Sequence, residues 1–113
     1  IARALESGCF GEPVPSVTIA DSISVDVPRN GEHALSKLVK YHGKAVVVSD
    51  MQILDAQKEL AAKSGLFAEP SSSAAWAGFQ KAKAAIRVDE TVVVMLTGSG
   101  LKDVAGAMKG LGL

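Results

Sequence analysis

The segment Thr91–Asp103, TVVVMLTGSGLKD, constrains the fold more than any other stretch of this chain. Its first half is a continuous apolar run rich in β-branched residues. The run is too short for a buried helix and lacks the alternation of a half-exposed strand. It suits a strand covered on both faces, as in a parallel sheet. Gly98-Ser99-Gly100 then breaks the run, and Leu101-Lys102-Asp103 opens a helix. In α/β proteins ligands bind just beyond the carboxyl ends of strands, and a helix start offers free N–H groups to an anion. The glycine pair alone is a weak signal. A dinucleotide fingerprint needs a third glycine, and position 103 is Asp. A tight, polar-capped turn and a ligand-approaching turn both remain open.

The rest of the chain alternates in the same way. Residues 1–8 read as the last turns of a helix stopped at Gly8, and residues 9–22 as loop. Ser22–Val27 alternates polar and apolar, so it is predicted as a half-buried strand. Glu32–His42 is predicted as a helix with Ala34, Leu35, Leu38 and Val39 on one face, capped by Asn30 and ended by Gly43. Ala45–Val48 is a second continuous apolar strand. Ser49 and Gln52 have the spacing of a capping box for a helix with the stripe Ile53, Ala56, Leu60 and Ala61, stopped at Gly65. Pro70 suits the first turn of an alanine-rich helix over 71–86. Leu101–Lys109 closes the chain as a helix weakened by Gly106, Gly110 and Gly112.

This order predicts an α/β fold: a partial three-layer domain, a parallel sheet with helices on both faces. Two or three strands make a poor sheet alone, so the missing neighbours are expected in an absent N-terminal portion or in another chain. The 113 residues amount to one partial domain, and a first residue of Ile rather than Met fits a processed, cleaved or truncated product.

Twelve basic residues balance twelve acidic ones, with no basic cluster, which argues against nucleic-acid or anionic-membrane partners. Cys9 is the single cysteine, so no internal disulfide forms, and the simplest setting is the reducing cytoplasm. No Cys/His spacing suggests a metal, and His33 and His42 do not share a helix face. No signal peptide or membrane-spanning run is visible.

Two further segments could carry chemistry. In GLFAEPSSSAAWA, Glu69 precedes a proline-started helix with serines at 71–73. The serines read as N-terminal caps; the carboxylate can do the same or point into a cleft. Trp76 reads as core. In SVTIAD, residues 16–21, the spacing gives a loop with an Asx turn and nothing more.

Taken in order, SVTIADSISVDVP at 16–28, AVVVSDMQILDAQKELAAKSGLFAEPSSSAAWAG at 45–78 and VVVMLTGSGLKD at 92–103 resemble the C-terminal third of the threonine synthase family. That family consists of pyridoxal-phosphate (PLP) enzymes of the tryptophan-synthase-β group. The resemblance covers nearly the whole chain. It implies a lyase of threonine biosynthesis whose parent protein converts O-phospho-L-homoserine and water to L-threonine and phosphate. It implies that the chain is the C-terminal portion of the PLP-binding large domain. Thr97 would face the pyridine nitrogen of the cofactor, Gly98 and Gly100 would give the ring edge room, and Glu69 would lie in the same cleft. Lys102 and Asp103 would anchor the turn and the helix start. The Schiff-base lysine and the glycine-rich phosphate cradle of the family lie upstream and have no counterpart here, so the chain alone is expected to be inactive. The implied partner is a small amino-acid substrate, with a homo-oligomer through the exposed sheet edge as a further possibility. A different PLP lyase, of the dehydratase or ammonia-lyase type, and a non-catalytic interaction module are the competing readings.

Overall fold

The computed structural model describes residues 1–111. The chain forms two compact units, Ile1–Val17 with Ser24–Val47, and Thr18–Ile23 with Val48 onward.

In the first unit, α1 (Ala2–Ser7) ends at Gly8, whose φ of 82° is the left-handed conformation that glycine adopts without strain. The second helix, α2 (Gly31–Lys40), packs against α1. Leu35 is its buried anchor, and Ala34 and Leu38 are half-buried. Val39 is exposed, so the apolar stripe is narrower than predicted. Asn30 precedes α2 but makes no side-chain cap bond. Gly31 is in contact with the Phe10 ring, close enough that a Cβ would lie 2.6 Å from Cζ. Asp26 ties the loops by accepting from the Ser16 amide at 2.7 Å.

The second unit is built on α3 (Asp50–Ser64) and α4 (Pro70–Ala82), which pack side by side. The capping box forms in both directions: the Ser49 amide donates to Gln52 Oε1 at 2.9 Å, and the Gln52 amide to Ser49 Oγ at 3.3 Å. Such a cap contributes about 1 kcal/mol. Gly65 ends α3 in the left-handed region. The buried face of α3 is Ile53, Ala56, Gln57 and Leu60; Ala61, expected in the stripe, is exposed. Ile53 and Leu60 each gain about 1.5–3 kcal/mol from burial. Gln57 is tolerated inside because its amide donates to the Ala68 carbonyl at 2.7 Å.

A polar staple joins the two helices across this core. Glu59 accepts from Lys63 Nζ at 2.8 Å with one oxygen, and from Trp76 Nε1 and Gln80 Nε2 at 2.9 Å each with the other. These donors, Lys63 foremost and then Trp76, hold its carboxyl well below the ordinary 4.5, at about 2. Trp76 is therefore half-buried and polar-anchored, its ring 5.0 Å from that of Phe79. The helix predicted to run to residue 86 stops at Ala82 and tightens into a 3-10 turn, Lys83–Ala85.

Three segments expected as strands form no sheet among the described residues. Residues 91–96 have no regular secondary structure, and Val93 and Met95 are exposed. Ala45–Val48 likewise has no regular structure. Ser22–Val27 is replaced by a 3-10 turn, Asp21–Ile23, followed by irregular backbone. The parallel sheet is thus not present among the described residues. A strand exists only as part of a hydrogen-bonded ladder, and no ladder forms along these runs among the described residues. The one bridge among the described residues is antiparallel, between Ala68 and Ser99. Past it come a 3-10 turn, Gly100–Lys102, and α5 (Val104–Leu111). The closing helix begins three residues later than predicted because the Asp103 carboxylate accepts from the Gly106 amide at 2.9 Å and so caps it. The helix continues through Gly106 and Gly110, and Gly112 lies outside the described residues.

Packing and charge make this unit testable in two places. Glu59 has a depressed folded-state pKa, so its contribution is complete above about pH 4.5 and declines as pH falls towards 2. Thermal melts across that range should show a falling midpoint, and Glu59→Gln should lower the neutral-pH midpoint and flatten the acid dependence; an unchanged acid slope in the variant would refute the staple. Gly78 lies inside α4, where an added Cβ would meet nothing within 4 Å, whereas a Cβ on Gly100 would lie 2.7 Å from the Phe67 ring. Gly78→Ala should raise stability by about 0.5–1 kcal/mol, and Gly100→Ala should lower it by about 1–3 kcal/mol, as read by urea denaturation.

Candidate functional site

Three stretches of the second unit meet at the start of α4. The first is Phe67–Ser73, which leads into the helix; the second is the turn at residues 97–102; the third is the strap Thr18–Ile23. The turn is sewn to the α4 entrance by backbone. The Glu69 amide donates to the Gly98 carbonyl at 3.1 Å, and the Gly100 amide donates to the Phe67 carbonyl at 2.8 Å. Pro70 takes the first helical position, where a missing N–H costs nothing. The Ser72 and Ser73 amides return to the Glu69 carbonyl at 3.0 and 2.9 Å.

Glu69 is 6% exposed. It stands at the N-cap position of α4 but its carboxylate makes no cap bond. The carboxylate lies under Gly98 instead, so close that a Cβ there would sit 2.1 Å from Oε1. Lys102 Nζ approaches the other oxygen at 3.5 Å from an exposed position. Of the two expected roles for Glu69, capping or pointing into a cleft, the first is not seen: the side chain makes no cap bond and is buried against Gly98. A buried carboxylate needs a compensating charge, and Lys102 supplies it.

Thr97 is exposed, and its hydroxyl lies 3.2 Å from Ser72 Oγ. Ser72 Oγ also accepts from the Gly98 amide at 2.6 Å. Thr97, Gly98 and Glu69 are therefore brought together. Gly100 is buried on the far side of the turn, against Phe67. An open pocket of about 290 Å³ runs along the turn, lined by residues 66–68 and 96–99. Ser71 and Ser73 have buried hydroxyls without hydrogen-bond partners.

The strap is clamped to the head of α3. Thr18 Oγ1 donates to Asp50 Oδ1 at 2.6 Å and the Ile19 amide to Oδ2 at 3.3 Å, while the Ala20 amide turns back to Thr18 Oγ1 at 3.2 Å. The turn Asp21–Ile23 then packs against α4. Sequence reasoning missed Ser72 as the partner of Thr97, because a run of three serines does not reveal which one meets a residue 25 positions away. It also missed Asp50 as a clamp. Its position after a helix-capping serine reads simply as an acidic first turn.

Chemically, the arrangement sets exposed Thr97 on a thin turn beside a buried carboxylate. Among the described residues no group of His, Cys, Asp and Glu could hold a metal ion, and no helix is long and apolar enough to cross a membrane.

Known proteins share this stretch of chain. The profile of the family described as pyridoxal-phosphate dependent enzymes matches residues 1–98. The threonine synthase of Synechocystis sp. is 39% identical over 94 residues, covering 82% of this chain and 25% of the relative. That of Halalkalibacterium halodurans is 43% identical over 93 residues, covering 80% of this chain and 26% of the relative. That of Methanosarcina acetivorans is 41% identical over 108 residues, covering 91% of this chain and 26% of the relative. The chain spans about a quarter of the length of the curated relatives it matches. With the family profile matched from the first residue to the glycine turn, this chain belongs to the pyridoxal-phosphate dependent enzymes.

Proposed function

We propose that the chain is the C-terminal portion of the large domain of a threonine synthase, whose parent protein converts O-phospho-L-homoserine and water to L-threonine and phosphate. The observation that carries this reading is exposed Thr97 on a turn locked to the α4 entrance above buried Glu69. The similarity to threonine synthases over most of the chain supports the choice within the family.

The residues fit one edge of a pyridine ring. Pyridoxal phosphate, when bound, withdraws electrons from the α-carbon of an amino acid and so supports elimination and replacement further along the side chain. Thr97 meets the ring nitrogen with a neutral hydroxyl. A carboxylate there would hold the nitrogen protonated and make the ring a stronger electron sink; a hydroxyl keeps it moderate. Gly98 leaves the edge of the turn thin, and Gly100 lets the turn close on Phe67. Glu69 forms the floor of the cleft, with Lys102 offsetting its charge. In the longer protein, residues 45–48 and 91–96 pair with strands supplied by the remainder of the large domain and complete a parallel sheet.

The lysines of this chain do not anchor the cofactor covalently, and the chain alone is inactive. Incubation with pyridoxal phosphate, borohydride reduction and intact-mass measurement should give no stoichiometric adduct; one adduct per chain at a single lysine would defeat the reading. Hydrogen exchange tests the sheet. Amides of residues 92–96 should exchange without protection in the chain alone and be strongly protected in the longer protein. Equal exchange in both would exclude the sheet.

A further inference from the structure

The hydrogen bonds around Ser72 have a direction. Ser72 sits in the first turn of α4 and is 1% exposed. Its Oγ lies 2.6 Å from the Gly98 amide nitrogen. A backbone N–H can only donate, so Ser72 accepts there. The one proton of the Ser72 hydroxyl must then find an acceptor, and among the described residues the oxygen in range is Thr97 Oγ1, at 3.2 Å. If Thr97 donated to Ser72 instead, the Ser72 proton would join the buried Ser71 and Ser73 hydroxyls in having no partner, at a desolvation cost that donation to Thr97 Oγ1 removes. Thr97 is exposed, so its own proton can be satisfied from outside. The donors therefore run from Gly98 N–H to Ser72 O–H to Thr97 O–H and then outward.

We propose that Ser72 is a positioning residue that fixes Thr97 as a hydrogen-bond donor toward the ligand. The bond from Ser72 occupies one lone pair of Thr97 Oγ1 and polarises its O–H, since successive hydrogen bonds strengthen one another. The group that Thr97 favours is then an acceptor, an unprotonated heteroaromatic nitrogen rather than a ring N–H. The ligand side of this inference rests on the reading that Thr97 faces the ring nitrogen of the cofactor. The direction of the Ser72–Thr97 bond does not.

The direction can be read by NMR on the full chain in mixed light and heavy water. A slowly exchanging hydroxyl splits its Cβ resonance into two isotope-shifted signals, and a fast one does not. Ser72 Cβ should be split in the wild-type chain and become single in Thr97→Val, which keeps the shape of the side chain and removes the acceptor. It should stay split in Thr97→Ser. A single Ser72 signal in the wild type, or a split signal that survives Thr97→Val, overturns the proposal.

A titration of the longer protein, freed of its cofactor and carrying the phosphate cradle that this chain lacks, with pyridoxine 5′-phosphate, which has the ring but no aldehyde, reads the ligand side. Thr97 resonances should shift in the wild type. Ser72→Ala should weaken binding roughly five-fold, the loss of about one ordering hydrogen bond, and Ser72→Thr should restore it. Equal binding by wild type and Ser72→Ala overturns the positioning role. Absence of any Thr97 shift, with the Ser72 pattern intact, overturns the ring-nitrogen reading while upholding the direction of the bond.

Discussion

Two backbone hydrogen bonds, Glu69 N–H to Gly98 and Gly100 N–H to Phe67, hold the entrance of α4 to the glycine turn. They close a loop of about thirty residues, a closure that costs entropy growing only slowly with length. The staple at Glu59 and the α3–α4 core supply the rigid helix pair on which that closure rests. Once the two stretches are joined, the rest of the site follows. The Glu69 carboxylate can lie against Gly98 because glycine carries no Cβ to meet it. The same closure brings Ser72 to Thr97.

Glycine at 98 and 100 thus has two separate jobs that the G-S-G pattern does not distinguish. One admits a carboxylate, the other an aromatic ring. The sequence shows that the backbone must pass close to something there, and the resemblance to PLP enzymes suggests a ligand. The close neighbours in the fold are the protein's own Glu69 and Phe67. A thin turn can still face a ligand on its outer edge, where Thr97 is exposed.

Helices were legible in the sequence and strands were not, for a physical reason. The capping box at Ser49, the left-handed glycines at 8 and 65 and the proline at 70 act within one turn of chain, and each stands where local chemistry puts it. Apolar runs such as Val92–Leu96 specify a strand only together with a neighbour, and none of the described residues provides one. Side chains that bridge distant stretches were equally hidden. Gln57 looks like a surface residue until Ala68 offers it a carbonyl. Asp50 looks like an ordinary first-turn acid until Thr18 and Ile19 reach it. Family membership was carried by the motifs taken together and in order, not by any one of them.

The uncovered run at residues 91–96 also has a bearing on solubility. Six residues, four of them of high β-propensity, without charge or proline, approach the composition of a self-templating aggregation segment when their backbone is unpaired. Charged residues stand close on either side. Asp89 and Glu90 immediately precede the run, and Lys102 and Asp103 follow the glycine turn. Flanking charges of this kind act as gatekeepers, because stacking copies in register would stack like charges. The same residues that end a loop and cap α5 therefore guard the edge of the chain where it is most adhesive.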